Sequence, residues 1–233
     1  MIQSFLTREA WAKASADRLA RALADALAAD GRALFAGSGG STPSPIYARL
    51  AQADLDWAKV TATLVDERYV PETSPDSNAT LLKGALLTGP AAAARFIPLY
   101  SPAVTVDRAA ALASQALAAE GRPLDAVLLG MGEDGHICSM FPGSPTLTTL
   151  LTLGLKPAVY GVPAGRDGAA PPQERLTLNL PWLVSARCVV LALTGARKRA
   201  VFEQDAASDP AVSPIAALIA AKAPLEVIWT EAG

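Results

Sequence analysis

Apolar and polar positions along the chain follow two rhythms. Between Thr7 and Asp30, Ala10, Ala14, Leu19, Leu23 and Leu27 recur at helical spacing, and the pattern stops at Gly31, a residue suited to ending a helix. Beyond it, short apolar runs alternate with helical stretches. The runs cover 33–36, 60–65, 96–99, 126–129, 159–162, 188–193 and 226–229. The helical stretches cover 43–54, 78–87, 105–120, 196–206 and about 213–222. Val189-Val190-Leu191-Ala192-Leu193 shows no alternation, as expected of a strand buried on both faces. Strands interleaved with helices predict an α/β fold, with a mainly parallel, Rossmann-like sheet flanked by helices on both faces.

Two stretches break the rhythm. Residues 131–152 form a long glycine- and proline-marked loop after a strand, and 161–175 contains Gly165, Gly168, Pro171 and Pro172. Long loops within a compact domain are more often functional than accidental. No repeat, low-complexity tail or linker composition is visible, so a single domain over 1–233 is expected.

Composition narrows the function. With 51% hydrophobic residues in 233, the chain can bury a full core without disulfides or metals and is not disordered. Twenty basic against 22 acidic residues give a net charge of −2, which supplies no field for nucleic acid or an anionic membrane. Cys138 and Cys188 are the only cysteines and fit two free thiols in a reducing compartment. No signal pattern opens the chain, and the longest uncharged stretch, 137–155, is broken by Pro142, Gly143, Pro145 and Gly154. A cytoplasmic protein with no membrane partner is expected.

Four segments carry candidate chemistry. Gly37-Ser38-Gly39-Gly40-Ser41-Thr42-Pro43 joins a strand to a helix, where glycines allow close backbone approach and the first helical turn offers N–H groups to an anion. Gly39, Gly40, Ser41 and Thr42 are thus phosphate-binding candidates, although an ordinary capped turn would look the same. The segment matches neither the P-loop nor the dinucleotide fingerprint. Asp66-Glu67-Arg68-Tyr69 follows the next strand, where side chains enter the ligand crevice of α/β sheets. Arg68 there suits a phosphate or carboxylate, and the bland alternative is a solvated charged turn.

The most informative segment is Gly130-Met131-Gly132-Glu133-Asp134-Gly135-His136, which holds the only histidine. A lone histidine is usually structural or merely exposed. Here the glycines let an imidazole point into a crevice, and Asp134 is placed to support it. A Cys138–His136 nucleophile pair is disfavoured, because nothing electropositive surrounds the thiol. Arg175 and Lys198 stand near later strands, either closing on the same anion or lying in solvent. Zinc-type ligand spacing is absent, and no metal or other cofactor is expected.

Taken together, Gly39-Gly40-Ser41-Thr42-Pro43, Asp66-Glu67-Arg68-Tyr69-Val70-Pro71 with Ser77-Asn78, Gly130 to His136 with Phe141-Pro142-Gly143, Arg175-Leu176-Thr177-Leu178 and the Gly195 to Lys198 step resemble the 6-phosphogluconolactonase family in order and spacing. The resemblance covers nearly the whole chain. It implies a fold like those of glucosamine-6-phosphate deaminases and ribose-5-phosphate isomerases. It also implies cofactor-free hydrolysis of 6-phospho-D-glucono-1,5-lactone in the oxidative pentose phosphate pathway. By the same resemblance His136 is the general base, and Arg68, Lys198 and the Gly39–Thr42 loop hold phosphate. Asp66, Asp134 and Arg175 are further site candidates. The oxyanion donor stays open between the two glycine loops and Arg175. Deaminases of this type follow their histidine with Asn-Glu-Pro, whereas the matching positions here are Met140-Phe141-Pro142, and phenylalanine relays no proton. A non-catalytic sugar-phosphate sensor would need an output module that the sequence does not offer.

Overall fold

The computed structural model describes residues 2–40, 42–103, 105–165 and 172–232. Its centre is a seven-stranded sheet in the order β1-β10-β9-β6-β2-β3-β5, parallel at every pairing. The strands are β1 (Ile2–Phe5), β2 (Ala33–Gly37), β3 (Val60–Leu64), β5 (Arg95–Phe96), β6 (Ala126–Leu129), β9 (Val189–Thr194) and β10 (Leu225–Thr230). β2, β3 and β6 are buried along their whole length, which is why β2 and β6 read as unbroken apolar runs, while β3 carries two buried threonines, Thr61 and Thr63. Helix α1 (Arg8–Asp30) packs across β2, β6, β9 and β10. Thr7 caps its start by accepting from the Ala10 N–H, and Gly31, at φ 70°, closes its end on the Leu27 carbonyl.

The first half of α1 buries a face one residue round from the predicted one. Trp11 and Ser15 are inside, and Ala10 is exposed. The indole has far more area to hide than a methyl group, and its N–H reaches the Ile228 carbonyl at 3.0 Å. Helices α2 (Ser44–Leu50), α3 (Asn78–Ala85), α4 (Val106–Ala118), α7 (Ala196–Ala206) and α8 (Pro214–Ala220) lie within the predicted stretches, with α2 stopping well short of residue 54. Two short helices, α5 (Leu147–Leu151) and α6 (Leu180–Val184), were not expected.

A second sheet corrects the sequence reading. β7 (Val159–Val162), expected in the parallel sheet, instead pairs antiparallel with β8 (Arg175–Leu178), which pairs antiparallel with β4 (Asp66–Arg68). The charged segment after β3 is therefore a strand, not a solvated turn. Val65 is the junction, and its carbonyl accepts from the Leu178 N–H at 2.9 Å. The apolar run 96–99 contributes to the main sheet only at Arg95–Phe96. Gly168 and Pro171 of the predicted loop lie outside the described residues.

Chain order reverses between β6 and β2: β3 and β5 extend the sheet to one side, β9 and β10 to the other. The carboxyl ends of these two central strands diverge there and open a crevice. Opposite, at the amino ends, buried Asp125 accepts from the Leu34 N–H at 2.7 Å and pairs with Arg122 at 2.8 Å and Arg187 at 3.4 Å. This cluster ties the starts of β2, β6 and β9 together. No helix among the described residues is long and apolar enough to cross a membrane.

Candidate active site

Loops leaving the carboxyl ends of β2, β6 and β9, with the edge of the small sheet, enclose a cleft of about 210 Å³. Gly39, Gly40 and Thr42 line it after β2, and His136 lines it after β6. Asp66 and Arg68 enter from β4, Arg175 from β8 and Lys198 from the first turn of α7. Asp134 stands behind His136. Ser41 lies outside the described residues.

The His136 loop is closed by its own backbone, with the Gly132 N–H donating to the His136 carbonyl at 2.9 Å. A side chain at Gly132 would collide with both Asp134 and His136, so the loop can close over this pair only with glycine there. Asp134 Oδ1 sits 2.6 Å from His136 Nδ1 and accepts from the His136 backbone N–H at 3.3 Å. An ionised carboxylate only accepts, so Nδ1 carries the hydrogen and the Nε2 lone pair is left for chemistry. The same hydrogen bond is the largest influence holding the Asp134 carboxyl below its ordinary range, against the opposing effect of burial.

Arg68 and Arg175 are direct cross-strand partners between β4 and β8. Like charges facing each other in a sheet are destabilising unless something compensates them. Arg68 Nη1 donates to the Asp76 carbonyl at 2.6 Å, and Arg175 Nη1 lies 3.7 Å from Asp66 Oδ2. The buried Nε of each has no partner. Burial pulls the Arg175 guanidinium below its usual range and the charge of Arg68 adds to this, with Asp66 opposing. Such a pair is suited to a bidentate anion such as phosphate or carboxylate.

Buried Asp66 accepts from Ser139 Oγ at 2.6 Å and from Asn78 Nδ2 at 3.4 Å. Its carboxylate is thus engaged in holding neighbours rather than facing solvent. Sequence reasoning gave no role to Glu67 or Asn78. Glu67 accepts from the backbone N–H groups of Arg68, Asn78 and Ala79, each at 2.7 Å, and from Ser77 Oγ at 3.1 Å. Burial pushes its carboxyl up, and these donors pull it back. Glu67 thereby fastens the start of α3 to β4, and Asn78 donates to the Asp66 carbonyl at 2.9 Å. No local signal marks this function, because the contacts join β4 to the start of α3, ten to twelve residues on.

Lys198 reaches the cleft because Gly195, at φ 81°, turns β9 directly into α7. Burial pushes the Cys138 thiol well up, which leaves it a poor nucleophile. Among the described residues, no three His, Cys, Asp or Glu side chains cluster as metal ligands.

Comparison with known proteins agrees across the chain. Residues 6–229 match the family of glucosamine-6-phosphate isomerases/6-phosphogluconolactonase. A 6-phosphogluconolactonase of Rhizobium meliloti is 44% identical over 97% of this chain and 96% of its own. One from Caulobacter vibrioides is 41% identical over 99% and 97%. The crystal structure of a 6-phosphogluconolactonase from Shewanella baltica superposes with a TM-score of 0.90 at 35% identity, covering 99% of this chain and 97% of that one. A monomeric glucosamine-6-phosphate deaminase shares the fold at 18% identity, with a TM-score of 0.77 over 98% of this chain and 96% of its own. With residues 6–229 matching the family and its fold shared by both enzyme types, the chain belongs to the glucosamine-6-phosphate isomerase/6-phosphogluconolactonase family.

Proposed function

We propose that residues 1–233 form one domain that hydrolyses 6-phospho-D-glucono-1,5-lactone to 6-phospho-D-gluconate, with His136 as general base. The substrate follows from the relatives that carry the lactonase name. The observation that carries the mechanism is the 2.6 Å Asp134–His136 contact beside a cleft whose other wall holds the Arg68–Arg175 pair. His136 Nε2 takes a proton from water as its oxygen attacks the lactone carbonyl carbon. Asp134 holds the ring and stabilises the imidazolium that forms. The tetrahedral intermediate collapses by breaking the bond to the ring oxygen, which leaves with the proton returned from His136. The sum is one water added and one carboxylic acid formed, which ionises by releasing a proton to solvent.

A δ-lactone opens spontaneously, so one base and a well-oriented substrate supply enough. Arg68, Arg175 and Lys198, with the Gly39–Thr42 backbone, hold the phosphate, and Asp66 keeps Arg175 in place. The reaction as written uses no organic cofactor or metal. The balanced charge and the metabolite substrate fit a cytoplasmic enzyme of the pentose phosphate pathway with no nucleic-acid partner.

The test is consumption of freshly generated 6-phosphogluconolactone against its spontaneous opening, with EDTA present. Acceleration unaffected by the chelator is expected. His136→Ala should lower turnover by about 10²- to 10⁴-fold while 6-phosphogluconate still binds. Undiminished turnover in that variant would remove the general-base assignment. Activity on glucosamine 6-phosphate instead would move the reading to deamination.

A further inference from the structure

The catalytic histidine is in contact with a residue to which the reaction above gives no part. The Phe141 ring lies against the His136 ring, with centroids 4.4 Å apart and planes inclined by 37°. On the same phenyl ring, the Arg175 guanidinium carbon lies 5.7 Å from the centroid. Phe141 therefore touches both the base and one arm of the anion-binding pair.

The chain spends strain to achieve this. Ile137 and Met140 form an isolated antiparallel bridge, with the Met140 N–H donating to the Ile137 carbonyl at 3.0 Å. That tight turn folds Phe141 back beside His136. Within it Cys138 adopts φ 52°, a left-handed conformation costing a non-glycine residue roughly 1 kcal/mol. The turn is pinned from the small sheet. The Ser139 N–H donates to Thr177 Oγ1 at 3.1 Å, and Ser139 Oγ donates to Asp66 at 2.6 Å. Strain at a functional site persists only where the surroundings over-determine it, as they do here.

We propose that Phe141 is a positioning residue for the hydrolysis, fixing the plane of the His136 ring and stabilising its protonated form through the negative face of the phenyl ring. The physical basis is the aromatic quadrupole, which attracts a cation above the ring. In the proposed reaction His136 becomes a cation on taking the proton from water, so the attraction strengthens as the reaction proceeds. Arg175 also lies over this ring and is paired with Asp66 rather than with Asp134. The other charges around the imidazole are Asp134 on its own loop, and Asp66, Arg68 and Lys198 on the walls of the cleft. Asp205 of α7 lies against Gly135, and Glu133 is paired with Arg197 at 3.1 Å.

This inference rests on His136 being the base, and one feature lets the two ideas fail separately. His136 is the only histidine, so in untagged protein the imidazole signals in a proton NMR titration belong to it alone. In Phe141→Leu, which fills the space without a π face, the titration midpoint should fall by about half a pH unit. The acid limb of the rate profile should move with it, and kcat should drop about five- to tenfold with KM changed less than twofold. Phe141→Tyr should restore all three. An unmoved midpoint in a folded Phe141→Leu protein would overturn the proposal. So would a loss of kcat equal in the leucine and tyrosine variants, which would mark packing alone. Full turnover in His136→Ala would instead remove the base assignment, whatever Phe141 does.

Discussion

Arg68 and Arg175 project from paired strands toward one cleft, and their buried Nε atoms lack partners. Two cations so placed oppose folding until an anion joins them, which suits the phosphate-binding role proposed for them. Arg68→Ala should raise KM for the phosphorylated lactone by about ten- to a hundredfold, the size of a charge-assisted contact. For unphosphorylated gluconolactone the change should stay under about threefold. Equal losses on both substrates, measured side by side, would show that Arg68 does not hold the phosphate. Most of these residues were legible in the chain: His136, Asp134, Arg68, Arg175 and Lys198 all stood out as charged or titratable groups next to glycines or strand ends. Their partners were not. Asn78, Glu67 and Ser139 support the candidate site through contacts between separate elements, from ten to 73 residues apart.

Among the elements, β4 and α3 carry the most function for their length. Glu67 binds the first N–H groups of α3 from a neighbouring strand, while Ser77 caps the same helix by accepting from the Thr80 N–H. One carboxylate thus fixes the positions of Asp66 and Arg68 on either side of it. Glu67→Gln places an amide N–H₂ against donors that need an acceptor, and should cost about 2 kcal/mol. Urea unfolding would read this loss, and KM should rise with it as Arg68 loosens. A variant with unchanged stability would show that these donors find water or each other at no cost. The long helices and central strands were readable because each repeats one period over many residues. β4 and β8 were not, because three or four residues carrying charges have no period to recognise, and only pairing makes them strands.

Across the whole molecule, the two ends of the parallel sheet have different tasks. The carboxyl ends diverge at the β6–β2 reversal and hold the cleft. The amino ends are drawn together by Asp125, which is fully buried and accepts from Leu34 while pairing with Arg122 and Arg187. Asp125→Ala leaves those donors unpaired and should cost about 3 kcal/mol, lowering the melting temperature. kcat and KM below that temperature should be unchanged, since the cluster lies at the far end of the strands. A changed kcat would show that the amino ends are coupled to the cleft. The sequence by itself determined the α/β alternation, the parallel sheet and the loops that line the candidate site, because hydrophobic period and glycine placement are local properties. It could not determine the second sheet, the Arg68–Arg175 pairing, the burial of Trp11 in place of Ala10, or the contact of Phe141 with His136. Each of those is decided by what meets what after the chain has closed on itself, and competing burials are settled only there.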